Sequence, residues 1–134
     1  MTEKVRNAKR IVIKVGSSTL CYKTGNLNIR RVQKLIEVMS DLKNEGRDVI
    51  FVTSGAVAAG VGRAGLPKRP TDMPTKQACA AIGQCELMNI YDREFMKYNH
   101  TVAQLLVTRD VVSNPVRREN AFNTLHRLLE MGAV

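Results

Sequence analysis

The chain has 134 residues, 44% hydrophobic and 25% charged, which is enough for one globular domain with a real core. Its formal charge of +9 indicates an anionic partner: a nucleic acid, a polyanionic small molecule or an acidic remainder of a longer protein. Basic residues are spread along the chain and aromatic residues make up only 4%, which disfavours nucleic acid. Because no apolar run is long enough for a membrane span or a signal peptide, we expect a cytoplasmic protein.

The three cysteines, Cys21, Cys79 and Cys85, lack C-x-x-C spacing, and only two histidines could join them in a metal site. The sequence therefore predicts no disulfide framework and no zinc site. We expect all three thiols to be buried or inert.

Residues 10–15 (RIVIKV) are an apolar, β-branched run typical of a strand, and a small, glycine-containing loop follows at 16–19. In a strand, Val12 and Lys14 share one face. A charged ammonium group in such a run costs free energy unless it reaches an anion or water. Together with the unhindered N–H groups of the loop, Lys14 indicates a phosphate site. The alternative is an edge-strand lysine whose amine lies in solvent.

The next elements form a strand–helix–strand unit. A turn-rich stretch around 24–26 precedes Asn28, a suitable N-cap for an amphipathic helix over 29–42 that ends at Gly46. Residues 48–53 (DVIFVT) are apolar on both faces, which suits a parallel sheet covered by helices on both sides. The short connections predict a βαβ unit.

A helix of small residues is expected over 56–64. The segment 60–65 matches G-x-G-x-x-G, but it lies within or at the end of this helix and does not directly follow a strand. We therefore reject a nicotinamide cofactor.

The remaining chain predicts a loop over 66–74, a long helix starting near Thr75, a strand over 101–108 and a helix over 120–131. Ala133-Val134 resembles the first step of a fourth strand. Gly83 within the long helix indicates close packing or a ligand. The predicted apolar face of that helix consists of Ala78, Ala81, Ile82, Cys85, Met88, Tyr91 and Phe95.

Three predicted strands end in polar tails, at 14–17, 53–55 and 108–110. Ligands bind beyond the carboxyl ends of parallel strands, so we expect these tails to meet in an anionic-substrate pocket. The chain contains no P-loop motif, which excludes a P-loop as the phosphate-binding device. It also contains no G-x-S-x-G elbow, which disfavours a hydrolase.

Several of these segments resemble signatures of the amino-acid kinase family. They are IKVGSS (13–18) and VTSGAVAAG (52–60), followed by KQACAAIGQ (76–84), QLLVTR (104–109) and NAFNTL (120–125). The later segments are similar to those of members that act on glutamate. The resemblance runs from about Lys9 to Val134 and implies the α/β, αβα-sandwich fold of this family (carbamate kinase-like), with a mainly parallel sheet.

The resemblance implies ATP-dependent phosphorylation of the L-glutamate side-chain carboxylate to L-glutamyl 5-phosphate, the first step of proline biosynthesis. It implies that Lys14 is catalytic and binds the ATP phosphates together with Gly16 and Ser17. Ser54, Gly55 and Ala56 would hold glutamate. The cofactors would be ATP and the Mg²⁺ carried on it, with no metal ligand from this chain. Such chemistry depends on positioning and charge stabilisation.

The family continues beyond these motifs into a further strand, a glutamate-binding loop, a site-organising aspartate, an adenine-binding segment and a second phosphate-binding lysine. We therefore expect residues 1–134 to be a single partial domain, the N-terminal substrate-binding half. The C-terminal nucleotide-binding half and the appended PUA domain of many members would be absent, and turnover by the chain alone would be very low. The resemblance also implies a homo-oligomer and feedback inhibition by proline.

Three alternatives stay open. The first is another amino-acid kinase, acting on aspartate, acetylglutamate or carbamate. The second is a non-catalytic, basic nucleic-acid-binding module, which the +9 charge motivates. The third is a structural or regulatory remnant that associates with intact subunits.

Overall fold

A computed structural model describes residues 3–134. Residues 1 and 2, which belong to the N-terminal stretch considered above for a signal peptide, lie outside the described residues. The elements in chain order are α1 (Glu3–Arg6), β1 (Arg10–Val15), α2 (Ser17–Leu20), α3 (Ile29–Asn44), β2 (Asp48–Thr53), α4 (Ala56–Arg63), α5 (Met73–Met96), α6 (Arg109–Ser113) and α7 (Pro115–Glu130).

The predicted βαβ unit is confirmed as β1–α3–β2. The two strands pair in parallel, from Arg10 opposite Asp48 to Val15 opposite Thr53. The side chain of Asn28 caps α3 by accepting a hydrogen bond from the amide of Arg31 at 3.2 Å, as predicted. Local signals in the sequence therefore define this unit.

The two faces of the β1–β2 sheet differ in burial. Val15 and Val49 are buried on one face, where they join the core. On the other face Val12 is 61% exposed and Val52 is 43% exposed, so within residues 3–134 helices cover only the first face closely. The core side chains contributed by helices α3 and α5 include Val32, Ile36, Met39, Leu87, Ile90, Tyr91 and Phe95.

Helices α4 and α5 pack at very short range through glycines. A Cβ atom on Gly60 would lie 1.8 Å from the carbonyl oxygen of Cys79, and one on Gly83 would lie 1.8 Å from that of Ala56. Close packing therefore accounts for Gly83. Gly60 lies inside α4, so the G-x-G-x-x-G match indeed does not follow a strand.

This packing corrects the predicted apolar face of α5. Tyr91 and Phe95 are buried as expected, but Ile82 is 43% exposed and Cys85 is exposed. Of the three thiols expected to be buried or inert, Cys21 and Cys79 are buried and Cys85 lies at the surface. Because α4 approaches through its glycines, the buried stripe passes instead through Cys79, Gly83, Leu87, Ile90, Tyr91, Glu94 and Phe95.

Both long C-terminal helices begin earlier than predicted. Helix α5 starts at Met73, where Asp72 caps it by accepting a hydrogen bond from the amide of Thr75 at 2.9 Å. Helix α7 starts at Pro115. In both cases a proline stands in the first turn, where its missing N–H is tolerated.

The predicted strand over 101–108 is wrong: the structure assigns no strand there. The backbone of this stretch bonds only Val134 in the manner of a strand, through Thr101 and Ala103. A strand requires a continuous ladder of hydrogen bonds with a neighbour.

None of the helices in residues 3–134 is long and apolar enough to cross a membrane.

Candidate functional site

The carboxyl ends of β1 and β2 form one junction. The amide and the hydroxyl of Ser54 each donate to the carbonyl oxygen of Val15, both at 3.2 Å. Gly55 has φ +112°, and a Cβ placed on it would lie 3.6 Å from the Cα of Ser17. The structure therefore brings the predicted phosphate-binding and glutamate-binding segments side by side, with room for about one methyl group between Gly55 and Ser17.

Helix α2 replaces the loop predicted after β1. Gly16 is its N-cap, in an extended conformation (φ −83°, ψ 162°), and no side chain caps the helix. The first N–H groups of a helix have no acceptor within it. The amides of Ser17 and Ser18 can therefore donate to an anion. The loop predicted at this place was expected to offer N–H groups for the same purpose.

Lys14 is exposed, opposite Val52 in the parallel register. No ion pair or hydrogen bond engages its amine within the part of the chain that the structure describes. Exposure alone fits an edge-strand lysine as well as a phosphate ligand. Its position one residue before the buried Val15 places it beside the junction.

A buried hydroxyl supports the end of β2. The hydroxyl of Tyr91 lies 2.7 Å from Oγ1 of Thr53, and the Tyr91 ring packs edge-on against Phe51 with centroids 5.3 Å apart. Burial raises the pKa of Tyr91 above its ordinary value, although the Thr53 hydrogen bond opposes the shift. The sequence placed Tyr91 only in an apolar stripe, because a pairing across 38 residues leaves no local signal.

Basic side chains lie around a cleft of about 400 Å³ beside Ser17. We call this the basic cleft. Its lining includes Lys23, Lys68 and Arg69, which the sequence analysis did not place in the site. The basic pair Lys68 and Arg69, inside a proline-containing loop, was the sequence signal that could have predicted this cleft.

The third predicted tail, at 108–110, is not part of the Ser17–Gly55 junction. Thr108 instead precedes α6, and Asp110 lies in its first turn. The Asp110 carboxylate accepts a hydrogen bond from the Thr108 hydroxyl and pairs with Arg117; both lower the pKa of Asp110, the Thr108 bond more strongly. The Asp110–Arg117 pair therefore joins α6 to α7.

A family model described as "Amino acid kinase family" matches residues 9–134. The chain belongs to the amino acid kinase family. This confirms the resemblance and the α/β fold with a parallel sheet. Across all 134 residues the chain is 52% identical to a glutamate 5-kinase of Listeria innocua, 48% to one of Clostridium perfringens and 47% to one of Enterococcus faecalis. It spans about half the length of these curated relatives, 49%, 50% and 49% respectively.

Proposed function

We propose that this chain is the N-terminal, substrate-binding part of a glutamate 5-kinase. The reaction forms a bond between a side-chain carboxylate oxygen of L-glutamate and the γ-phosphorus of ATP, and breaks the bond from that phosphorus to the β–γ bridging oxygen. The products are L-glutamyl 5-phosphate and ADP. Identity of about 50% over the whole chain to glutamate 5-kinases supports this activity over that of other acid kinases.

Lys14, Gly16 and Ser17 contact the phosphates in this proposal. The Lys14 amine is exposed and unpaired within residues 3–134, so it is available to offset charge on the transferring group. The uncapped start of α2 adds N–H donors at Ser17. Three donors of this kind suit phosphate oxygens, and no carboxylate lies among them, so Mg²⁺ would arrive on the nucleotide.

Ser54, Gly55 and Ala56 hold glutamate in this proposal. Gly55 is the N-cap of α4 and no side chain caps that helix, so its first N–H groups are open to a carboxylate. The left-handed backbone of Gly55 turns the chain directly from β2 into α4. Ser54 is exposed while its hydroxyl donates to Val15, which leaves its oxygen lone pairs able to accept from the substrate ammonium group.

The proximity of Gly55 to Ser17 is the observation that carries the proposal. Glutamate and the γ-phosphate must meet within a few ångströms for transfer. A chain in which these two segments lay apart could not bring the carboxylate to the phosphorus.

A chimera tests the proposal. Residues 1–134 replace the matching half of the Listeria innocua glutamate 5-kinase, and ADP release is measured with and without L-glutamate. We expect glutamate-dependent turnover comparable to that of the parent enzyme. Turnover that responds instead to aspartate, acetylglutamate or carbamate would assign another acid, and no acid-dependent ADP release would refute the kinase function.

Two variants of the chimera separate the roles. Lys14→Ala should reduce kcat at least a hundredfold with the fold retained, because a charge-stabilising contact in the transition state is lost. Ser54→Ala should mainly raise the KM for glutamate. Near-normal turnover of the first variant, or an unchanged glutamate response of the second, contradicts the assigned role.

Three further expectations belong to this proposal. Residues 1–134 form one partial kinase domain that shows little or no turnover without a nucleotide-binding half. The complete enzyme is cytoplasmic and homo-oligomeric. Proline acts as a feedback inhibitor, which the chimera assay tests directly by adding proline.

A further inference from the structure

A series of hydroxyl groups runs from the core of the fold to the peptide between Ser54 and Gly55. The phenol of Tyr91, a residue that is 3% exposed, lies 2.7 Å from Oγ1 of Thr53. The Thr53 hydroxyl in turn donates to the carbonyl oxygen of Ser54 at 3.3 Å. We call these two hydrogen bonds, from Tyr91 through Thr53 to Ser54, the hydroxyl relay.

The two bonds of the hydroxyl relay run in one direction. A hydroxyl group carries a single hydrogen and can accept a second hydrogen bond on its oxygen. Because the hydrogen of Thr53 is directed to the Ser54 carbonyl, the bond to Tyr91 forms when the phenol donates to Thr53. Burial raises the pKa of Tyr91, so the phenol keeps this hydrogen at neutral pH. The relay therefore holds a donor against the Ser54 carbonyl from the core side.

The peptide held by the relay would otherwise be able to rotate. Gly55 has φ +112°, and a glycine backbone occupies positive and negative φ about equally well. On the other side of the peptide, Ser54 is fixed, because its amide and its hydroxyl both donate to the carbonyl oxygen of Val15. The remaining freedom is a rotation of the plane between Ser54 and Gly55. The Thr53 hydroxyl opposes that rotation because it holds the carbonyl in place.

Holding the Ser54 carbonyl also sets the direction of the Gly55 amide. The peptide is trans and planar, so its N–H points opposite to its C=O. With the carbonyl turned to Thr53, the Gly55 amide is turned away from Thr53, at the uncapped start of α4. Among residues 3–134 this amide donates to no acceptor. The relay therefore orients an open donor within the segment proposed to hold glutamate.

We propose that Tyr91 is a positioning residue for the acid substrate. Acting through Thr53, it fixes the peptide between Ser54 and Gly55 so that the Gly55 amide donates to a carboxylate oxygen of glutamate. The inference rests on the proposed function, in which residues 54–56 hold that substrate. A donor that is oriented before binding loses less free energy than one that must first be ordered. The relay should therefore act on the affinity for glutamate, although the buried Tyr91 does not touch it.

Steady-state kinetics of the chimera that carries residues 1–134 test the proposal. Thr53→Val removes the hydroxyl in the middle of the relay, and the KM for glutamate should rise about fivefold, the factor that one hydrogen bond of ordinary strength contributes. Tyr91→Phe leaves the Thr53 hydroxyl without its buried partner, and the KM should rise about threefold. In both variants kcat and the KM for ATP should change less than about twofold, because only glutamate binding is weakened.

Two controls separate positioning from stability. Ile90→Val, on the same helix as Tyr91, shortens a core side chain that is 4% exposed and lies outside the relay. It should cost about as much stability as Tyr91→Phe but leave the KM for glutamate unchanged. Thr53→Ser keeps the hydroxyl donor and should bring the KM back to within about twofold of the natural value.

A double variant tests whether Tyr91 acts through Thr53. In the Thr53→Val background the relay is already broken, so adding Tyr91→Phe should raise the KM for glutamate no further. Independent, multiplying effects of the two substitutions would overturn the proposal. An unchanged KM in Thr53→Val would also overturn it, as would a rise in Ile90→Val as large as that in Tyr91→Phe.

A failure of the relay can be distinguished from a failure of the proposed function. A chimera with natural residues 1–134 that shows no glutamate-dependent ADP release refutes the function. The relay is then read by NMR in the 134-residue chain, from the chemical shift of the Ser54 carbonyl carbon, which depends on hydrogen bonding to its oxygen. Movement of this shift in Thr53→Val and Tyr91→Phe, but not in Ile90→Val, would confirm that the relay orients the peptide. A shift that responds to neither relay variant would overturn the proposal.

Discussion

Replacing Gly83 by alanine tests the close packing of α4 on α5. A Cβ on Gly83 would lie 1.8 Å from the carbonyl oxygen of Ala56 and 2.5 Å from the amide nitrogen of Gly60. Both obstacles are backbone atoms, so no side chain can rotate away. Ordinary contact begins near 3.4 Å, so the helices must separate locally by about 1.6 Å.

The expected cost follows from two opposing effects. Overpacking a tight interface costs about 3 kcal/mol at the upper end of its usual range. Alanine gains about 1 kcal/mol over glycine in a helix interior. Gly83→Ala should therefore lower the free energy of unfolding by about 2 kcal/mol, roughly a thirtyfold change in the folding equilibrium.

Urea denaturation followed by circular dichroism measures this change. With an ordinary slope, the midpoint should fall by about 1 M and the slope should stay constant. Gly16→Ala is the matched control, because nothing lies within 4 Å of its Cβ position and its φ is −83°. That variant should remain within about 0.5 kcal/mol of the natural chain.

A Gly83→Ala protein as stable as the natural chain would refute the packing argument. The displaced atom is the carbonyl of Ala56, the first residue of α4 and part of the proposed glutamate site. In the chimera, the same variant should therefore raise the KM for glutamate more than it changes kcat. A larger change in kcat than in KM would show that this packing does not position the glutamate site.

Three further predictions use single side chains. Tyr91→Phe removes the hydrogen bond to Thr53 and should lower the free energy of unfolding, measured in urea, by about 1 kcal/mol. Because burial raises the pKa of Tyr91, the natural chain should also lose stability as pH rises above 10. An equal loss in the variant would contradict this. Asp72→Asn keeps an N-cap acceptor but cannot titrate. Since the Thr75 hydrogen bonds lower the Asp72 pKa below its usual 3.8, the natural chain should lose stability as pH falls below that value. When both proteins are unfolded at pH 2 to 6, the variant should lose less stability than the natural chain. A thiol reagent should label one cysteine rapidly in the native chain, and Cys85→Ser should abolish that fast phase, whereas rapid labelling of two thiols would contradict the structure.

Much of the β1–α3–β2 unit could be predicted because its signals are local. Runs of β-branched residues, the Asn28 cap and the glycine at 46 lie within or next to the elements that they define. The motifs at Ser17 and Ser54 could likewise be placed at strand ends from the sequence. Family membership then followed from the same short segments.

The tertiary structure alone decided which side chains meet. The buried stripe of α5 depends on where the glycines of α4 allow contact, and this shifted Cys85 to the surface. Residues 101–107 have strand composition, but a strand exists only where a neighbour supplies a hydrogen-bond ladder. The proximity of Gly55 to Ser17 likewise brings together residues 38 positions apart. Burial and pairing are set by distant partners, so adjacent residues cannot encode them.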